Sequence, residues 1–297
     1  MASVVLGGEV HTYETRRHAR DLSSVFEGVE DALIGVCACY GTSVRAIVVS
    51  LPGTVSGTRL VQAPNLGWQD VELSTLAPRE LASVPFLAGN DATFSAIADA
   101  RRGAAAGSAS SVHLYMDSGI GGALLSGGQL VPGARGMAGE FGHMPFGSPA
   151  ARCRCGAHGC WNTALDGQAL ARHLGEPAPA DEVSYSRDVL AAARAGGGPQ
   201  RGAVRDAALA LGRGTAGLVN ALDPELVTFG GLAVQLLEVA GDRVREGYHA
   251  GLMGARAEGA PALAPSPLGD RAPVVGAGEH AFDHILTDRA LATWSAA

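Results

Sequence analysis

Three of the chain's five cysteines fall within eight residues, Cys153-Arg-Cys155-Gly-Ala-His-Gly-Cys160, ten positions after His143. A segment so dense in soft donors has few ways to fold. His143, Cys153, Cys155 and Cys160 form the Cys3His set that zinc takes tetrahedrally, at about 2.3 Å to sulfur and about 2.0–2.1 Å to nitrogen. Gly156 and Gly159 permit the tight wrapping that turns three thiolates inward. Arg154 lies between two of them and offsets their charge. A disulfide and a set of buried free thiols are the alternatives. Reducing surroundings argue against the first, and a glycine-rich loop against the second. His158 is the substitute for His143 as fourth ligand. Cys37 and Cys39, on an apolar helical stretch, read as plain core residues.

The rest of the composition excludes several classes of function. At −7 the net charge gives no footprint for nucleic acid, and no basic tail or arginine-rich block is present. Apolar runs such as Ala46 to Val49 are strand-length, far short of a membrane span. The start, MASVVLGGEVHTYE, lacks the basic and long apolar regions of a signal peptide. No membrane partner and a cytoplasmic location are therefore expected.

Short β-rich runs alternate with longer helical periods, which indicates an α/β architecture. Val4 to Leu6 and Glu9 to Arg16 read as strands around Gly7-Gly8. Asp21 opens a helix to about Tyr40, with Val25, Val29, Leu33 and Val36 on its apolar face. Ala46 to Leu51 and Pro85 to Ala88 are strands, and Asn90-Asp91 caps a helix from Ala92 to Arg102. Ser111 to Met116 and Gly122 to Leu125 form a hairpin around Asp117-Ser-Gly-Ile-Gly-Gly122. Helices follow over Thr163 to Leu174, Ser186 to Ala195 and Ala203 to Ala221. A strand from Leu226 to Phe229 leads into a helix through Tyr248, and the last helix runs from Gly276 to Ala292. Residues 175–183 and 254–269, rich in Pro and Ala, read as linkers.

The segment Gly139-Glu-Phe-Gly-His143, followed by the cysteine run and Trp161, closely resembles the signature of the ROK family of repressors and sugar kinases. Supporting matches are Leu51-Pro-Gly-Thr-Val55, Ala63-Pro-Asn-Leu-Gly-Trp68, Gly89-Asn-Asp-Ala92, Ser118-Gly-Ile-Gly-Gly122 and Asn220 through Gly231. The resemblance implies an actin-like, hexokinase-type pair of α/β domains around a cleft. Residues 1–88, completed by a helix over 280–297, would form the small domain. Residues 89–279, with the zinc loop 139–162, would form the large one. It also implies a structural zinc, and the chemistry agrees, because four protein ligands leave no position for a catalytic water. It places Asn90, Asp91, Glu140 and His143 on sugar hydroxyls, each able to exchange hydrogen bonds with a polyol. In kinases of the family the residue matching Asp91 is the general base. Gly119, Gly121, Gly122, Gly230 and Gly231 fall on the nucleotide side.

Three departures from the family pattern matter. The family motif continues Gly-Cys-Xaa-Glu, whose Glu also meets sugar; here Asn162 stands in its place, a candidate sugar contact whose amide both donates and accepts, which shifts the expected sugar preference. Asp117 stands before Ser118-Gly-Ile-Gly, where the family has a small residue, and a carboxylate beside a phosphate site is unfavourable. The chain also starts at about the second strand of the kinase pattern, without the Asp- and Gly-rich first turn. The reading is therefore a sugar-binding domain of a ROK regulator without kinase activity. DNA would be contacted only through a helix-turn-helix domain absent from this chain, and a homodimer or homotetramer is expected. The alternatives are an ATP- and magnesium-dependent hexose or N-acetylhexosamine kinase, and a degenerate oligomeric scaffold.

Overall fold

The computed structural model describes residues 1–5, 7–13, 21–256 and 258–294. They fall into two units. The first comprises Met1–Ala98, Pro132–Met137 and Arg271–Ala297, the second Asp99–Val131 and Ala138–Asp270.

The chain begins with β1 (Ala2–Val4) and β2 (Val10–Tyr13), paired antiparallel. Gly7 and Gly8 turn between them at φ of 98° and 79°, a region that glycine enters without steric cost. The expected first strand thus sits earlier; its Leu6, and residues 14–16 of the second, lie outside the described residues. In α1 (Leu22–Tyr40), Asp21 Oδ1 accepts the Ser24 N–H at 2.9 Å, and Leu33 buries with Ile47 and Leu81. Cys39 is exposed and not a core residue. Six positions past Leu33, it lies about 240° round the helix from the buried face. The Cys37 side chain lies outside the described residues.

β3 (Ile47–Leu51) is followed by a meander of β4 (Thr54–Ser56), β5 (Arg59–Ala63) and β6 (Trp68–Glu72), which the sequence reading did not resolve. Its signal was local: Gly57 turns at φ 61° between two short runs, and β5 buries Leu60 and Ala63. β7 (Phe86–Asn90) pairs parallel with β3 and runs directly into α2 (Asp91–Arg102).

The second unit is built on one five-stranded sheet. It contains β9 (Ile120–Ser126), paired antiparallel with β8 (Ser110–Met116) on one side and β10 (Gln129–Leu130) on the other, then β11 (Leu226–Gly231) parallel to β8, and β12 (Ala262–Pro265) parallel to β11. β12 lies inside the stretch expected to be a linker. Four helices join this sheet: α3 (Gly167–Leu174), α4 (Glu182–Arg194), α5 (Gly198–Leu222) and α6 (Leu232–Gly251). Expected starts at Thr163 and Ser186 move to Gly167 and Glu182, because Asp166 and Asp181 are the caps, accepting from Ala169 and Ser184 N–H. α5 and α6 approach closely through glycines. A Cβ at Gly212 would lie 2.0 Å from the Val244 carbonyl oxygen, and one at Gly247 2.4 Å from that of Leu209. Val112, Leu114, Val227 and Phe229 from the sheet meet Leu211, Leu218 and Val244 in the core.

The chain returns to the first unit with α7 (Ala272–Ile285) and α8 (Asp288–Trp294). The single last helix of the sequence reading is thus two, broken at Leu286-Thr287. The division between units falls at Ala98/Asp99 and Asp270/Arg271. The first turns of α2 belong with α7, where a Cβ at Gly276 would lie 1.7 Å from the Phe94 carbonyl oxygen and the Phe94 and His280 rings stand 5.5 Å apart.

Candidate functional site

The strand-to-helix junction of the first unit carries Asn90 and Asp91. Asn90 Oδ1 accepts the N–H groups of Ala92 and Thr93 at 2.9 and 3.2 Å, and its Nδ2 donates to the Gly53 carbonyl oxygen at 2.9 Å. Asp91 Oδ1 accepts from Ala92 N–H at 2.8 Å. Both residues are therefore helix caps whatever else they bind, with Asp91 at the positive end of the α2 dipole. Gly89 beneath them leaves room for the Phe94 ring, 2.5 Å from where a Cβ would stand.

In the second unit the cysteines form a small hairpin. Cys153 N–H donates to the Ala157 carbonyl oxygen at 2.8 Å, and Arg152 bridges His158 across it. Gly156 and Gly159 adopt φ of 96° and 73°. One ligand atom each of His143, Cys153, Cys155 and Cys160 lies within 4.8 Å of all the others. His143, not His158, completes this set. Cys155 Sγ is 3.7 Å from Cys160 Sγ, and Cys153 Sγ is 3.8 Å from His143 Nδ1. A tetrahedron with bonds of about 2.3 Å has sulfur–sulfur edges of about 3.8 Å, so the donors are spaced for a metal of zinc's size. Burial, then the neighbouring Cys155 and Cys153, pushes the Cys160 thiol up to about 12. Cys153 is raised by burial too, whereas at Cys155 the Ala157 N–H and the adjacent sulfurs outweigh burial and lower it. Three crowded sulfurs need a cation before all can be thiolates. When bound, zinc would supply that charge and a fixed cross-link.

With Nδ1 towards the sulfurs, His143 presents Nε2 3.9 Å from a Glu140 carboxylate oxygen, and the two side chains are 32% and 41% exposed. They sit at the ends of a 3-10 turn over Phe141–His143, open to a ligand. The hairpin is anchored at both ends. The buried Trp161 donates from Nε1 to the Ala210 carbonyl oxygen at 3.0 Å, and Gly214 makes room for its ring. Arg154 pairs with the buried Glu182 at the start of α4. Nothing local in the sequence links positions 154 and 182, so this anchor leaves no signal there.

The hairpin turn between β8 and β9 is shorter than expected. Ile120 pairs with Met116 and Gly121 with Tyr115, leaving Asp117, Ser118 and Gly119 in the turn. Gly122 and Gly230 are packing residues of the sheet: Cβ atoms there would lie 2.3 Å from the His113 carbonyl oxygen and 2.9 Å from the Tyr115 ring. Gly231, at φ 59°, would clash with the Met116 carbonyl oxygen at 2.2 Å. Gly119 faces Asn162, whose Oδ1 accepts the Ile120 N–H at 2.6 Å. Burial raises the Asp117 carboxyl above its usual range; Arg187 opposes this, while Asp270 and Asp181 add to it.

A match to the ROK family covers residues 2–283. The chain belongs to the ROK family. Its relatives in that family include both glucokinases and xylose repressors. It is 29% identical over 234 residues to a glucokinase of Halalkalibacterium halodurans, covering 74% of this chain and 70% of that protein. It is 25% identical over 241 residues to the xylose repressor of Bacillus subtilis, covering 81% of this chain and 62% of the repressor. In structure it is similar to a ROK family glucokinase from Streptomyces griseus in complex with glucose and AMPPNP, with TM-score 0.77, 26% identity and 94% of each chain covered. The mixed α/β fold is that of the ROK hexokinase-type proteins. Among the described residues no helix is long and apolar enough to cross a membrane.

Proposed function

We propose that this chain is the sugar-sensing domain of a ROK regulator and does not work as a kinase. The observation that carries this reading is Asp117. It occupies the turn that would face nucleotide phosphates in a ROK kinase, a buried carboxyl among Arg187, Asp270 and Asp181. Phosphoryl transfer is catalysed mainly by positioning and by positive charge around the phosphates. Asp117 works against both. The sugar-binding set, by contrast, keeps its chemistry: Asn90, Asp91, Glu140 and His143 offer an amide, two carboxylates and an imidazole. In this reading zinc holds the loop of Glu140 and His143, and DNA is met by a domain outside residues 1–297.

The glucokinase relatives support the second reading, an ATP-dependent sugar kinase with Asp91 as base and magnesium on the phosphates. One experiment separates the two. Calorimetric titration with hexoses, N-acetylhexosamines and pentoses is expected to find a sugar that binds at or below millimolar concentration. A coupled assay with that sugar is expected to show no ATP turnover. Turnover above about 1 s⁻¹, the low end for kinases, makes the chain an enzyme. No binding of any sugar leaves the scaffold reading.

A further inference from the structure

Asn162 occupies the position where the family signature puts a sugar-binding glutamate, and its side chain is already engaged. Oδ1 accepts the Ile120 N–H at 2.6 Å. The surrounding backbone is shaped to hold the amide there. Cβ atoms at Gly119 and Gly142 would stand 3.0 and 2.6 Å from that oxygen, so both glycines give the amide its space. Gly142 also lies against the other side of Ile120, where a Cβ would be 2.1 Å from the Ile120 carbonyl oxygen. Asn162 is itself held, since its own carbonyl oxygen accepts the N–H groups of Leu165 and Asp166 at 3.0 Å each. Three segments therefore meet at one side chain. They are the turn Asp117–Gly119, the Glu140–His143 stretch that contains Gly142, and the 3-10 turn that starts beside the ligand Cys160.

We infer that Asn162 is a positioning residue that clamps the β8–β9 turn onto the metal loop, so that the state of the loop is passed to the turn. A glutamate here would be one methylene longer and charged. With asparagine in its place, the amide links the β8–β9 turn to the metal loop through the Ile120 N–H. The inference rests on the metal reading for its cause and on the Ile120 hydrogen bond for its means, and the two are tested apart.

The measurement is hydrogen exchange at the Ile120 amide, followed by NMR in wild type, Asn162→Ala and Asn162→Asp, each with zinc and after chelation. A lost hydrogen bond should speed exchange about 5- to 10-fold in the alanine variant. The aspartate variant keeps an acceptor at the same reach and should exchange within about threefold of wild type. Chelation should speed Ile120 exchange in wild type and add little in Asn162→Ala. Asn162→Ser, too short to reach Ile120, gives the same readout if the alanine variant does not fold. Equal exchange in wild type and Asn162→Ala overturns the clamp, as does an equal response of both to chelation. If elemental analysis finds no bound zinc, the metal reading fails by itself, and the comparison of metal-free variants still decides the clamp.

Discussion

Cys155 is the metal ligand whose replacement gives the clearest reading, because it is the less buried sulfur of the three and serine fits its place. Cys155→Ser is expected to lose zinc by elemental analysis and to melt about 5 °C lower or more. Metal-binding free energy at such a site is folding free energy, and about 1 kcal/mol shifts a unit of this size by roughly 2–4 °C. Folded wild-type protein without metal would sink the idea. Asp91 needs a paired design, since it both caps α2 and is the candidate sugar contact. Asp91→Asn keeps an oxygen for the cap, whereas Asp91→Ala removes cap and contact together. Sugar affinity by calorimetry should fall about 5- to 150-fold in the alanine variant, the cost of leaving a buried hydroxyl unpaired. If Asp91→Ala loses stability but binds sugar as well as wild type, Asp91 is only a cap.

Between elements, the metal hairpin is joined to α4 by one ion pair with unequal partners. Glu182 is buried, with Oε2 lacking a hydrogen bond, while the Arg154 side chain is about a third exposed. Removing the exposed partner strands the buried charge, and such losses cost about 3–5 kcal/mol where desolvation is complete. Removing the buried one returns Arg154 to water. Arg154→Ala should therefore destabilise more than Glu182→Gln in chemical unfolding, although a count of contacts would rank them equal. The same scale shows what the sequence disclosed. The cysteine run was legible because metal ligands must be adjacent in space and here nearly are in sequence. β8, β9 and β11 were legible from apolar runs bounded by glycines. The β4–β6 meander was not, because each strand is three to five residues long and its buried positions are few, the polar Thr54 with Leu60 and Ala63. Asn162 was legible as a departure from a motif but not as a clamp. Its partner, Ile120, is a backbone N–H 42 positions away, and a backbone donor leaves no trace in residue identity.

At the scale of the whole molecule, carboxylates of opposite character shape the response to pH. Asp99 and His113 are fully buried in the second unit, with His113 Nδ1 3.7 Å from Asp99 Oδ2 and sharing a 2.8 Å hydrogen bond with Thr228 Oγ1. Burial alone would raise Asp99, but His113, then the Ser266 and Thr228 hydroxyls, outweigh it and hold the carboxyl at about 2. Its folded value lies below its unfolded one, so its stabilisation is full above the unfolded value and disappears as pH falls towards about 2. Asp117 and Asp166 are the reverse case, both raised by burial. What they contribute is full below the unfolded carboxylate value and is lost as pH rises through their folded values. At neutral pH the Asp117 charge is therefore held at a cost, in the turn that Asn162 clamps. Asp117→Asn should raise the melting temperature at pH 7 and leave it nearly unchanged at pH 3. The same substitution removes the negative charge set against nucleotide phosphates, so AMPPNP affinity should rise in the variant, and the difference from wild type should shrink as salt screens that charge. Thermal scans from pH 3 to 8, with calorimetric titration of AMPPNP at two salt concentrations, check both halves. A variant that melts lower at pH 7, or that binds AMPPNP no better than wild type, would show that Asp117 is held by Arg187 as a structural pair and does not exclude nucleotide.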